Sequence, residues 1–241
     1  MQTNTFAKHN SGLLVPIGQI EGALREHFGV RGIVRIENRD HRGRITARRV
    51  SNLVVTSGKC GISSRFKGTA SAAVSHMAVG TNNTAPAVAD AALGAEVGSS
   101  RTALTSTTVR NAELIYACTF NPGVGTGALV EAGLFNGTTA VASGLSYSRS
   151  GNDVTVTKTS HGLSVDRAIG IASATDTGLN GGATISSVGG ANDFDFYTTS
   201  GGAASGTLSL YQDIMVCRSI FSVINKAAGD TMTITWTLTI S

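Results

Sequence analysis

Asp193 and Asp195 flank Phe194 in a short run of alternating character, so a strand would carry both carboxylates on one face and Phe194 and Phe196 on the other. Paired carboxylates are the equipment of glycoside hydrolysis, although a solvated strand face uses the same pattern more often. Asp176, with Asn180, Gly181 and Gly182 nearby, offers oxygen donors of the kind Ca²⁺ takes, without the ligand order of a dedicated loop. The histidines, His9, His27, His41, His76 and His161, are scattered rather than spaced as metal ligands. His161 stands in a Ser-His-Gly turn, where a side chain that satisfies local backbone groups is expected. Gly123-Val124-Gly125-Thr126-Gly127 has the glycine content of a phosphate-binding loop. It lies between two strand-like runs, with no Lys-Ser/Thr pair after it, and reads as a hairpin loop. Glu131 is the one carboxylate in an otherwise apolar strand. Burial would require a partner, and Arg218, in the similarly apolar run Met215 to Val223, is the expected one. These residues assemble no catalytic constellation, and the expectation is a protein that is not an enzyme and holds no cofactor or metal.

The elements that must position these residues are mostly strands. Thr231 to Ile240 alternates Thr with apolar residues, including the only Trp, Trp236, and predicts a strand with one wet and one buried face, so that the chain ends inside an antiparallel sheet, as a finished structural edge and not a loose tail. Glu113 to Phe120 places Leu114, Tyr116, Cys118 and Phe120 on one face, and Ala128 to Phe135 follows the glycine-rich loop. Ile33 to Ile36 and Arg44 to Val50 flank an Asp-His-Arg-Gly turn and predict a hairpin. Two helices are expected. One spans Gln19 to Phe28, with Ile20, Leu24 and Phe28 on a shared face; the other runs from Ser57, as its cap, to Phe66, with Gly68 as its stop.

The chain has 241 residues, of which 14% are charged and 41% hydrophobic, with 30 glycines. This suits short strands joined by many turns and argues against both disorder and a helical bundle. Cys60, Cys118 and Cys217 are odd in number and form no CxxC pair, so they read as reduced, buried small side chains. No run approaches the roughly 20 apolar residues of a membrane span, and Met1 to Asn10 is polar rather than a leader. The predicted fold class is all-β, an antiparallel β-sandwich with an inserted small β domain and an N-terminal arm with a short helix. The predicted division is residues 1–50 as an arm, helix and basic hairpin for docking, 51–144 plus 212–241 as the sandwich, and 145–211 as the inserted domain. The insert is marked by its loss of Met, Cys and Trp in favour of Gly, Ser, Thr and Asp.

Charge is divided unevenly. Residues 1–67 carry twelve Lys or Arg against four Asp or Glu, while residues 68–241 carry seven against eleven, which together give the net +4. Arg31, Arg35, Arg42, Arg44, Arg48 and Arg49 form the candidate docking surface, with an acidic protein neighbour ahead of nucleic acid because interleaved aromatics are scarce.

Four segments occur in a consistent order: Asn52-Leu-Val-Val-Thr-Ser-Gly-Lys59, Met77-Ala-Val-Gly-Thr81, Glu131-Ala-Gly-Leu-Phe-Asn136, and Phe221 to Ile240. Together they resemble virion structural proteins of tailed bacteriophages, of the tail-fibre, tail-collar or minor structural kinds. Glu131 to Asn136 is similar to a strand of tail-collar fibre domains, and Val154 to Leu163 is similar to a small β module of phage tail and surface proteins. The resemblance covers about residues 50–241. It implies a virion component made in the host bacterial cytoplasm, self-associating as a symmetric oligomer and touching other virion proteins, with host surface glycan as a possible contact of 145–211. The chain lacks the heptads, collagen-like repeats or β-helical repeats of a fibre shaft, which favours a tail or neck appendage adaptor. The alternative is a capsid decoration protein. A glycan-cleaving tail enzyme using Asp193 and Asp195, or a nucleic-acid binder using the arginines, are the readings from other classes.

Overall fold

The computed structural model describes residues 6–8, 14–16, 29–68 and 71–241. The helix expected over Gln19 to Phe28 lies outside them. Of the N-terminal arm, Phe6–Lys8 (β1) and Leu14–Pro16 (β2) are described and pair antiparallel.

The chain is all-β apart from one α-helix and a short 3₁₀ turn among the described residues. One sheet contains Val30–Arg39 (β3), Ile45–Ser51 (β4), Ser106–Arg110 (β8), Glu113–Phe120 (β9) and Thr231–Ile240 (β18), in the order β4-β3-β18-β9-β8. A second contains Leu53–Val54 (β5), His76–Gly80 (β6), Thr102–Ala103 (β7), Gly127–Phe135 (β10) and Met215–Lys226 (β17), in the order β5-β17-β10-β6-β7. Their facing sides share one core in which Val34, Ile36, Cys118, Phe120, Ile234 and Trp236 of the first meet Met77, Val79, Leu129, Leu134 and Cys217 of the second. Alternation explains this. Along β18 Met232, Ile234, Trp236 and Leu238 are buried, and the intervening threonines are half-exposed on the other face.

Two expectations change here. The basic hairpin β3-β4 is not set apart from the sandwich: β3 pairs with β18 along ten residues, from Val30↔Ile240 to Arg39↔Thr231. The last strand does lie inside an antiparallel sheet, but as its middle strand, between β3 and β9, and not as an edge. The reason is the same in both cases. Apolar residues at Val34 and Ile36 need the core that β18 provides, and a partner at the far end of the chain leaves no local signal.

Between β10 and β17, which are neighbours in the second sheet, six strands close on one another: Ala142–Ser150 (β11), Asp153–Thr157 (β12), Ala168–Ala172 (β13), Gly181–Val188 (β14), Asp193–Tyr197 (β15) and Ser205–Tyr211 (β16). The barrel has its own core of Val154, Val156, Ile169, Ile171, Ile185, Phe194, Phe196, Leu208 and Leu210. Inside it, Arg149 Nη1 meets Asp176 Oδ2 at 2.8 Å with both side chains nearly covered. Asp176 also accepts from the Gly178 N–H at 3.0 Å, so this carboxylate is engaged by a cation and a turn of the protein itself.

The helix, Thr56–Phe66 (α1), sits against β17, β13 and β14 and links sandwich to barrel. Gly58 permits this approach, because a Cβ there would stand 2.2 Å from the carbonyl oxygen of Val216. Ser57 is not the helix cap that was expected. Val55 occupies that position, and the Ser57 hydroxyl instead donates to the carbonyl of Met215 at 2.7 Å, inside the junction. The helix does stop at Gly68, whose N–H bonds to Arg65 O. No helix among the described residues is long and apolar enough to cross a membrane.

Candidate docking surface

The outward face of the first sheet follows from its register. With Val34, Ile36, Trp236 and Tyr116 directed inward, the odd-numbered residues of β3, β4, β9 and β18 must face out. One row across the strands is Arg49, Arg35, Thr235, Ala117 and Ser106; another is Arg31, Thr239, Glu113 and Arg110. Arg31, Arg35, Arg49, Arg110 and Glu113 line a shallow trench of about 640 Å³, and Thr235, Thr237 and Thr239 form its floor.

The six arginines of the sequence reading do not act as one patch. Arg31, Arg35 and Arg49 share the trench. Arg42 and Arg44 lie in the β3-β4 turn, organised by Asp40: its Oδ1 accepts from both backbone N–H groups at 2.9 Å, and its Oδ2 meets Arg44 Nε at 2.6 Å. The Arg44 guanidinium and these N–H bonds hold the Asp40 carboxyl at about 2, below its ordinary 3.8. Arg48 points to the opposite side of β4 from Arg49. Its guanidinium donates to Ser222 O and Val223 O of β17, both at 3.3 Å, and closes the edge between the two sheets. Arg110 completes the trench; its strand, β8, is exposed throughout and shows no alternation by which sequence reasoning could have placed it.

On the far side of the second sheet, the charges are closed upon themselves. Glu131 is fully buried, and Arg218 Nε and Nη2 reach its Oε2 at 2.9 and 2.8 Å, the pairing expected from the sequence. Arg218 Nη1 also meets Asp90 Oδ2 at 2.7 Å, a partner no strand pattern announces. Glu131 accepts three further bonds, from the backbone N–H groups of Asn82, Gly94 and Ala95. One carboxylate thus lashes loop 81–96 over the sheet. Gly80 makes room for it, since a Cβ at that position would fall 2.4 Å from Glu131 Oε1.

Several of the residues with catalytic possibilities are engaged by the fold itself. Phe194 and Phe196 enter the barrel core and Asp193 and Asp195 take the opposite face, as alternation predicts; Asp195 Oδ2 accepts a very short bond from Ser187 Oγ. Neither aspartate lines the trench. His161 Nδ1 accepts from the Leu163 N–H at 2.9 Å, so Nε2 is the donor, toward the carbonyls of Gly190 and Asp193, both at 3.0 Å. It satisfies local backbone, as expected. His41 is exposed in the β3-β4 turn, and His76 is half-buried, with Nδ1 2.8 Å from Ser75 Oγ. His9 and His27 lie outside the described residues. The glycine-rich loop joins β9 of one sheet to β10 of the other and so is a crossover, not a hairpin turn. All three cysteines are free. Burial raises each thiol, Cys118 to about 12, which keeps them protonated and unreactive. Among the described residues, no group of three or more His, Cys, Asp or Glu converges as a metal site.

No protein-family model matches the chain, and no curated protein matches it. Among solved structures it is similar to the Phage phi92 endosialidase, with 18% identity over 58% of this chain and a TM-score of 0.24. The match spans 20% of that protein, and at this level neither fold nor activity transfers.

Proposed function

We propose that this chain is a non-enzymatic structural component of a tailed-phage particle, an adaptor of the tail or neck appendage that works as a symmetric oligomer. The observation that carries this reading is the outward sheet face, where Arg31, Arg35, Arg49 and Arg110 stand in open register on a threonine floor. Charges that the fold does not need for itself suit contact with something else. The sequence resemblance to tail-collar and minor virion proteins supplies the phage context. The closed barrel, held between two adjacent strands of the sandwich, fits a projecting module that meets host glycan or another virion protein.

Imaging of intact particles with the chain labelled tests the proposal. A ring of copies at the tail or neck is expected. Copies spread over the three-fold or six-fold positions of the head would overturn the adaptor assignment in favour of capsid decoration. Loss of host-polysaccharide cleavage on changing Asp193→Asn and Asp195→Asn together would overturn the non-enzymatic reading.

A further inference from the structure

Arg35 and Arg49 are directly opposed across the β3-β4 pair. Like charges in that relation destabilise a sheet, and the molecule supplies little to offset it. Glu37 Oε1 lies 2.7 Å from Arg35 Nη2, while Arg49 makes no ion pair among the described residues. Arg31 follows on the same face, four positions before Arg35, with the exposed Ile33 between them. Across the floor, Arg110 is opposed by Glu113, the one carboxylate lining the trench.

From this arrangement we infer that the trench binds a carboxylate-rich segment of a partner protein, laid across the threonine floor with Asp or Glu side chains on Arg35, Arg49 and Arg31. The inference deepens the structural-adaptor reading by naming what its docking face takes. A guanidinium presents two parallel N–H donors that match a carboxylate, and two opposed guanidinia accept an anion between them that relieves their repulsion. The threonines add hydroxyls that donate or accept, and methyls that pack, with Ile33 and Ile115, against an aliphatic stem. Single-stranded nucleic acid is the competing polyanion, and sheets that bind it stack bases on exposed rings. Here every aromatic side chain of the five strands, Tyr116, Phe120 and Trp236, is buried on the opposite face.

The test uses the full-length chain in solution, with a poly-glutamate peptide and an oligothymidylate as probes, followed by calorimetry at low and at physiological salt. Poly-glutamate is expected to bind, more weakly as salt rises. The double change Arg35→Thr and Arg49→Thr should weaken it by about tenfold or more, corresponding to the loss of one good charged contact. The control Arg42→Thr with Arg44→Thr, in the turn, should stay within about twofold. Arg49→Thr alone should also melt about 1–3 °C higher than the parent, because the opposed charge is gone. Absence of poly-glutamate binding would overturn the inference. So would equal loss in the turn variant, binding of oligothymidylate alone, or a lowered melting temperature for Arg49→Thr, which would make that arginine a structural residue. A particle in which the chain is missing, with peptide binding intact, would remove the virion reading and leave the trench standing.

Discussion

Arg218 and Arg49 carry the same charge on the two sheets of one sandwich, and the fold treats them in opposite ways. Arg218 is 3% exposed and answered by Glu131 and Asp90, so its charge is consumed in holding loop 81–96 on the second sheet. Arg49 is exposed, faces Arg35, and is answered by nothing among the described residues. Burial explains the contrast: an unpaired charge out of water costs several kcal/mol, so the interior keeps only charges with partners. At the surface the cost is small, and an unanswered charge can persist where something outside the chain uses it. A charged residue is therefore better judged by what its neighbours leave undone than by its type.

The largest effect should come from breaking the closed set. Arg218→Met leaves Glu131 buried without its cation and is expected to cost about 3–5 kcal/mol in denaturant unfolding. Amide exchange in loop 81–96 should accelerate before the rest of the sheet; uniform exchange across loop and sheet would show that the carboxylate does not act on the loop. The barrel holds a second closed pair, and Arg149→Met, which strands Asp176, should cost about 2–4 kcal/mol. If its loss is as small as that of a surface arginine, burial is not what distinguishes the two classes. Arg48 is intermediate. Its half-buried guanidinium reaches two carbonyls of β17 at 3.3 Å and the carbonyl of Ala47 at 2.9 Å, and Arg48→Ala is expected to cost about 1 kcal/mol, read from the same denaturant curves.

The smallest effect lies in the turn. Since the fold holds Asp40 at about 2, below its ordinary 3.8, the ionised carboxylate favours the folded chain. That contribution is fully present above about pH 4 and is lost as pH falls toward 2. Melting temperatures recorded across this range should decline less steeply for Asp40→Asn than for the parent. Parallel curves would show that the Arg44 contact does not act through the carboxylate's charge.

Much of the fold was legible where burial is one-sided. Alternation over Thr231 to Ile240 and Glu113 to Phe120 marks strands whose inward residues are the ones buried. Alternation fails where both faces are alike. Ala168–Ala172 is buried at its first four positions, and Ser106–Arg110 is exposed at all of them, so neither strand announces itself. Pairing across distance was the second blind spot, since nothing in Val30 to Arg39 names Thr231 to Ile240 as its partner. The docking face could have been read more sharply than the six-arginine grouping allowed: Arg48 and Arg49 are consecutive on a strand and so cannot share a side. The Glu131–Arg218 pair was readable because a lone carboxylate and a lone guanidinium in apolar strands have few ways to be neutralised. Asp90, in a loop, carried no such mark.

The barrel's point of attachment has a mechanical consequence. Its two connections leave from Phe135 and Met215, which are partners across the β10-β17 pair, so a pull on the barrel enters the sandwich through adjacent strand ends. Force applied that way opens a ladder one rung after another instead of shearing all rungs together. The first to bear load would be the clasp in which Asn136 Oδ1 accepts from the Ile214 N–H at 2.7 Å and its amide donates to Ala72 O.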